Sequence, residues 1–320
     1  MNGNDILRAM NGLDDRFVIS ASREHIVKRN KPKRIAARLA VGIAAAVVFT
    51  IPAGAAYSQF VHESAVMEYF TEDSVRYIED KGLALNISDE NEHLRITLDT
   101  LLSDGNIGTL IMTVEALDDE GQSCIRRGNM PDLYVTDVQT EELLHIEEGG
   151  CWTPPDDTDP YSVKQLTIEK YLQLDELDTS RDYRFTFGIN PSDDAECDEN
   201  YVITNNYADG ISFDVSLQPN VQVKEYQSPE GNTIWLSEIG IYSNELDTVK
   251  KLRHWSDFNG DIELKIKGSL SPEIVDYDSE CYDYSPERAQ PFGAGWFYAL
   301  VDTEKVSGIK IGDTVYSEVE

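Results

Sequence analysis

The sequence predicts a mainly β protein, built as a sandwich or barrel and preceded by one transmembrane helix and a short helical tail. Three observations predict this architecture. An uncharged run of 19 residues lies near the N-terminus, and the net charge changes sign across it. Beyond the run, short stretches of alternating apolar and polar residues are separated by loops rich in Gly, Pro, Asp and Asn. That spacing is typical of β-sandwiches and barrels.

The first 38 residues form a basic tail, with nine Lys or Arg against four acids and a net charge of +5. Its apolar residues recur at spacings of three and four, which predicts one face of a helix. We interpret this face as a docking helix for a cytoplasmic partner. Two alternatives stay open, a helix lying on the membrane surface and a frayed tail. The predicted docking residues are Ile6, Met10, Leu13 and Phe17.

The uncharged run, Leu39–Tyr57, predicts the transmembrane helix. As a helix it spans roughly 28 Å, close to the hydrocarbon thickness of a bilayer. Basic residues precede it and acidic residues follow it, which predicts a single-pass protein of the cell membrane with a cytoplasmic N-terminus and an extracellular C-terminal region. The rival interpretations are a buried core helix and a signal peptide cleaved after Ala55. The long basic segment before the run favours an uncleaved anchor.

Charge limits the function classes open to the outer region. The whole chain carries −32, and the residues beyond the span carry 18 basic and 55 acidic side chains, a net charge of −37. Phosphates would be repelled, which argues against nucleic-acid binding by this region. The charge fits a soluble surface or a cationic partner.

The outer region begins with a predicted hairpin. Leu94–Leu98 and Thr109–Val114 alternate as strands do, and Asp104-Gly105-Asn106 between them is a turn signal. Ala65–Lys81 is expected to be partly helical. Further predicted strands are Leu133–Val138, Val163–Tyr171, Tyr183–Ile189, Ile211–Leu217, Thr233–Ser243, Asp261–Lys267 and Trp296–Val301.

A domain boundary is predicted near Gln218-Pro219-Asn220. It divides the outer region into a β domain of residues 58–218 and a second β module of residues 219–320. Both fall within the usual size of a domain.

All four cysteines lie beyond the predicted span, which fits an oxidising exterior. Four cysteines allow three pairings. We predict that Cys124 pairs with Cys151 and that Cys197 pairs with Cys281. Four free thiols are the alternative.

Motifs that carry catalysis, phosphate binding or dinucleotide binding are missing from the sequence. The cysteines form no close pair of the kind that zinc sites use. Asp257–Asp261 resembles the start of a calcium loop, but a hairpin turn explains it better. The sequence therefore predicts a protein that is not an enzyme, with no catalytic, cofactor-binding or metal-binding residue to assign.

Several segments together resemble a known family. They are Leu13–Val18, the Ala-rich span, Tyr69–Val75, the strand pair around Leu94–Leu117 and the ending Val306–Thr314. The layout is similar to Gram-positive single-pass membrane proteins with the extracytoplasmic domain of unknown function 4179, which are associated with sigma factors. The resemblance implies immunoglobulin-like sandwiches and an anti-sigma or sensing role, with no cofactor. One departure is that the tail contains no cysteine, so the zinc signature of many anti-sigma factors is missing.

Two hypotheses for function follow. The first is a membrane-anchored sensing or binding protein, whose outer region binds an unidentified extracellular ligand and whose tail docks a sigma factor or other cytoplasmic regulator. The second is a surface-anchored binding or structural protein without a signalling role, in which residues 1–57 serve as an anchor.

Overall fold

The computed structural model describes part of the chain. The described residues are 66, 70, 72–125, 131–144, 146, 148–153, 163–190, 197–198, 202–252, 262–269, 271–275, 277–278, 282–283 and 291–319. The predicted tail with Ile6, Met10, Leu13 and Phe17, the predicted span, Cys281 and the Asp257–Asp261 loop lie outside them. Among the described residues, no helix has the length and apolar character needed to cross a membrane.

The described elements are mainly antiparallel strands. In chain order the strands are β1 (Ala84–Glu90), β2 (Leu94–Ser103), β3 (Ile107–Ala116), β4 (Asp132–Asp137), β5 (Leu143–Leu144), β6 (Glu148–Thr153), β7 (Gln165–Gln173), β8 (Asp182–Gly188), β9 (Ser212–Ser216), β10 (Val223–Gln227), β11 (Thr233–Ser237), β12 (Gly240–Ser243), β13 (Ile262–Ile266), β14 (Glu273–Val275), β15 (Tyr277–Asp278), β16 (Tyr282–Asp283), β17 (Phe292–Phe297), β18 (Val306–Ile311) and β19 (Thr314–Glu318). The helices are α1 (Glu72–Lys81), α2 (Asp119–Ile125) and α3 (Leu246–Leu252). The helix α1 confirms that Ala65–Lys81 is partly helical.

Two sheets enclose the first core. One has the order β1-β2-β3-β7-β6 and the other the order β5-β4-β8-β9. Met112 and Ile168 of the first sheet share one buried cluster with Val135 and Phe185 of the second. Burial of such side chains is the main favourable contribution to folding. Two antiparallel sheets around one core are consistent with the predicted β-sandwich.

The predicted hairpin is confirmed, since β2 and β3 pair from Leu94↔Ala116 to Ser103↔Gly108. The Oδ1 atom of Asp104 accepts the amide hydrogens of Asn106 at 2.8 Å and Ile107 at 2.9 Å. Gly105 lies at φ 96°, a conformation that glycine adopts without strain. The turn residues therefore act through local hydrogen bonds, as their types predict.

The third sheet has the order β14-β13-β18-β19-β10-β11-β12-β17-β15, with β16 also paired to β17. Its two end strands, β14 and β15, are separated in the chain by one residue. The sheet therefore curls until its ends adjoin, in the manner of a barrel. Its inner face buries Leu236, Leu264, Ile309 and Tyr316, and α3 adds Leu252 to the same cluster.

A further apolar cluster joins the first sheet to the outer face of the third. Trp296 stacks on Tyr171 with ring centres 5.5 Å apart, and its indole N–H donates to the carbonyl oxygen of Gly108 at 3.0 Å. Val75 and Ile78 of α1 are buried in the same cluster. His62–Glu320 accordingly forms one compact unit, within which the chain passes to the third sheet between Ser216 and Val223, beside the predicted boundary.

Two predicted strands differ from those observed. Thr233–Ser243 is a pair of strands, β11 and β12, because Glu238 and Ile239 form a turn between them. Trp296–Val301 is wrong as a strand, since β17 ends at Phe297. The amides of Leu300 and Val301 bond to Ser74 and Glu238 instead of to a strand.

Candidate ligand-binding cleft

A cleft of about 830 Å³ opens where α1 meets the third sheet. Its walls are α1, the turn after β11, the strand β14 and the segment that follows β17. A cleft of this size falls within the range of small-ligand sites. Its lining includes Tyr77, Lys81, Glu238, Ile274, Tyr298 and Asp302.

The helix α1 presents Tyr77 to the cleft because its apolar residues fix its orientation. Val75 and Ile78 are buried in the cluster between the sheets, so the side of the helix that carries Tyr77 and Lys81 lines the cleft. The helix ends at Lys81, and Gly82 follows it with φ 67°. There the amide of Gly82 donates to Glu79 and that of Leu83 donates to Ile78, a common helix stop.

Tyr77 and Glu238 form the central polar pair of the cleft. The Tyr77 hydroxyl lies 2.7 Å from each carboxylate oxygen of Glu238. Burial, followed by the hydrogen bond and the charge of Glu238, raises the pKa of Tyr77 well above its ordinary value. The phenol therefore stays protonated and donates its hydrogen to the carboxylate.

The backbone holds Glu238 firmly at this position. Its amide donates to the carbonyl oxygen of Gln222 at 3.1 Å, and its own carbonyl oxygen accepts the Val301 amide at 2.9 Å. The next residue, Ile239, accepts the Phe297 amide at 3.0 Å. The residue is 5% exposed. Tyr77 is the one side chain among the described residues that donates to its carboxylate, and no described cation forms an ion pair with it. A buried carboxylate retains acceptor capacity beyond a single phenol.

Two lysines border the cleft. The Lys81 ammonium lies 5.4 Å from the centre of the Tyr77 ring, in cation–π contact. Lys305 pairs with Asp302 at 2.9 Å. The Lys305 partner, through its hydrogen bond above all, lowers the pKa of Asp302. Lys305 is therefore already neutralised by a carboxylate of the same wall.

The rim of the cleft is apolar and exposed. Ile274 of β14 is 61% exposed and Tyr298 is 45% exposed. Exposed apolar side chains beside convergent polar groups are characteristic of binding surfaces. A protonated phenol, a buried carboxylate and an apolar rim equip the cleft to hold a ligand. Among the described residues, no group of three His, Cys, Asp or Glu is placed to hold a metal ion.

Among the cysteines that the sequence singled out, Cys124 and Cys197 do not line this cleft. Cys124 is buried on α2, where its Sγ donates to the carbonyl oxygen of Glu120 at 3.1 Å and burial raises its pKa to about 11. Cys197 is exposed, and Cys151 lies on β6. Cys124 and Cys197 are free thiols in the structure. The pairing of Cys124 with Cys151 and of Cys197 with Cys281 stays a prediction, which peptide mapping under non-reducing conditions tests.

Sequence reasoning did not find Tyr77 or Glu238. They are separated by 161 positions, and no motif links them. No local sequence signal marks either residue, because their contact depends on how α1 packs against the third sheet.

Comparison with known proteins assigns no family. No protein-family model matches the chain, and no curated protein matches it. A solved structure described as the conserved domain protein from Bacillus anthracis is similar over 71% of this chain and 75% of that one, with 12% sequence identity and a TM-score of 0.39. A likeness at that level assigns neither fold nor function.

Proposed function

We propose that this protein is a single-pass membrane protein that senses or binds a ligand outside the cell. In this proposal its outer β region binds the ligand in the cleft beside α1. The tail, residues 1–38, docks a cytoplasmic regulator such as a sigma factor. The finer fold that we propose for the outer region is the immunoglobulin-like sandwich that the family resemblance implies.

The observation that carries the proposal is the position of α1. It begins 15 positions after the end of the predicted span at Tyr57, and its Tyr77 reaches a carboxylate of the third sheet at 2.7 Å. A ligand in the cleft touches both α1 and the sheet, so its binding free energy depends on their relative placement. Such coupling would carry a signal along the chain towards the membrane.

Substitutions in the predicted stripe of the tail test the signalling role. Met10→Asp combined with Phe17→Asp places two charges on the apolar face. We expect transcript profiles of cells that express the full chain to differ from those of cells that express this variant, because docking of the regulator is lost. Co-purification of a sigma factor or other transcription regulator with the tail should be lost in parallel.

The matched control is Asn4→Asp combined with Asn11→Asp, which adds two charges outside the stripe. It should retain the wild-type profile. Identical profiles for all three chains would contradict the signalling proposal. They would favour the surface-anchored alternative, in which an unrelated anchor replaces residues 1–57 without loss of function.

A further inference from the structure

The strand β14 presents an open sheet edge to the cleft. It pairs with β13 through Ile262↔Val275, Glu263↔Ile274 and Leu264↔Glu273. On its other side no described strand pairs with it, and its three residues line the cleft. An edge strand directs backbone N–H and C=O groups outwards, where another extended chain can pair with them.

The opposite wall is the segment that follows β17, which is not paired with β14. β15 and β17 pair in the register Tyr277↔Phe297. If the pairing continued, it would set Ile274 opposite Leu300. The Leu300 amide instead donates to the Ser74 hydroxyl at 3.3 Å, and the Val301 amide donates to the Glu238 carbonyl oxygen at 2.9 Å. The third sheet is therefore not closed between β14 and the segment that follows β17, and the cleft lies in this gap.

The charges of the residues that line the cleft indicate which ligands it can bind. The lining contains four carboxylates and two ammonium groups, which are Glu238, Glu273, Asp302 and Glu304 against Lys81 and Lys305. Lys305 is already paired with Asp302, and Glu304 is paired with Lys224 at 3.2 Å. Glu238 is 5% exposed with a neutral phenol as its donor. A basic side chain that reached Glu238 would complete its hydrogen bonding with a charge-assisted bond.

We propose that the cleft binds an extended peptide of another molecule, in which basic and β-branched apolar residues alternate, as a strand added to the edge of β14. The inference rests on the proposed function, for which it names the ligand class. Backbone pairing with β14 supplies the common part of the affinity, and alternate side chains supply the selectivity. Basic side chains face the Tyr77–Glu238 pair, and apolar ones lie against Ile274 and Tyr298.

Fluorescence polarisation with two labelled peptides tests strand addition. The full chain, purified in detergent micelles, is titrated at about 0.15 M salt, where long-range attraction between exposed charges is screened. One probe is the octapeptide of alternating Lys and Val. The other alternates Lys and Pro, which keeps the charge but removes half of the backbone donors and the strand conformation. We expect the Lys–Pro peptide to bind roughly tenfold more weakly.

Two variants of equal charge test the location. Glu238→Gln lies in the cleft, and Glu225→Gln lies on β10, outside the lining and exposed. We expect the first to weaken binding of the Lys–Val peptide roughly tenfold and the second by less than about twofold. Thermal unfolding of both variants verifies that they are folded, and the peptide comparison needs no variant.

Equal binding of the two peptides would overturn strand addition and leave charge attraction alone. Equal effects of the two variants would overturn the location. These outcomes concern the purified chain, whereas the transcript profiles concern the tail. If the peptides did not bind but the transcript profiles differed as expected, this ligand class would be rejected. If the peptides bound but the profiles were identical, the signalling role would be rejected.

Discussion

Asp104 shows how one buried carboxyl group links stability to pH. It is 4% exposed, beneath the turn that joins β2 to β3. Burial raises its pKa to about 6, although hydrogen bonds from Ile107, Asn106 and Ser237 lower it in part. Tyr242 lies beside it, and the charge of Asp104 contributes, after burial, to the raised pKa of that phenol.

Asp104→Asn should remove this pH dependence. The folded-state pKa lies above the ordinary 3.8, so the folded chain binds the proton more tightly than the unfolded chain does. The resulting stability is present below about pH 4 and is lost as the pH rises through about 6, a change of about 3 kcal/mol. Asparagine keeps the acceptor oxygen for the turn amides and carries no charge.

Urea unfolding at pH 4 and pH 7 measures the effect. Between pH 4 and pH 7 the free energy of unfolding of the wild type should fall by about 2.5 kcal/mol relative to that of the variant. Asp209→Asn removes a carboxylate from an exposed position and serves as the control, which should track the wild type. If the free energies of unfolding of Asp104→Asn and the wild type differed by the same amount at both pH values, Asp104 would not be the source of the pH dependence.

Local chemistry decides which residues a sequence reveals. Asp104, Gly105 and Asn106 are adjacent, and their turn follows from their own side chains, so it was predictable. The Tyr77–Glu238 pair depends on how α1 packs against a sheet formed 161 positions later. No local pattern contains that information, because the burial of Val75 and Ile78 sets the orientation of the helix.

At the scale of the elements, Trp296 on β17 packs the third sheet against the first. Its indole is fully buried, stacks on Tyr171 of β7 and donates to the carbonyl oxygen of Gly108 on β3. We expect Trp296→Phe to lower the free energy of unfolding by about 2 kcal/mol, because it removes this hydrogen bond and leaves a cavity.

Trp235→Phe is the matched control for that prediction. Trp235 is half-buried on β11 and stacks on Tyr242 with ring centres 5.5 Å apart, a contact that Phe retains in part. Its effect should stay below about 1 kcal/mol. If denaturant unfolding showed the same loss of free energy of unfolding for both variants, Trp296 would contribute no more to stability than Trp235 does.

The strands that the sequence predicted are those whose residues alternate clearly. β4, β8 and β9 alternate buried and more exposed positions for much of their length, and each was predicted to within about two residues. The short end strands β14 and β15 were not predicted. They contain three and two residues, and their pairing partners are set by closure of the sheet rather than by their own sequence.

At the scale of the whole molecule, the net charge opposes folding and the three buried clusters favour it. The clusters bury apolar side chains of the region after the predicted span, where the net charge is −37. Repulsion at that charge opposes compaction, and burial of apolar area must exceed it. Ion pairs such as Lys170–Glu148 at 2.8 Å offset part of the repulsion. Added salt should therefore stabilise the fold.

The same charge distribution leads to the prediction of topology. Residues 1–38 carry +5 and the region beyond Tyr57 carries −37, so the positive-inside rule predicts that the tail lies in the cytoplasm. After replacement of the native cysteines by serine, one cysteine is placed at Ser58 or at Ser22. A maleimide that cannot cross membranes should label the first in intact cells and miss the second, whereas both should react after lysis. Labelling at Ser22 in intact cells would reverse the orientation. A mature chain that begins at Ala56 would instead establish cleavage after Ala55. The basic tail and its predicted docking residues would then be absent from the mature protein.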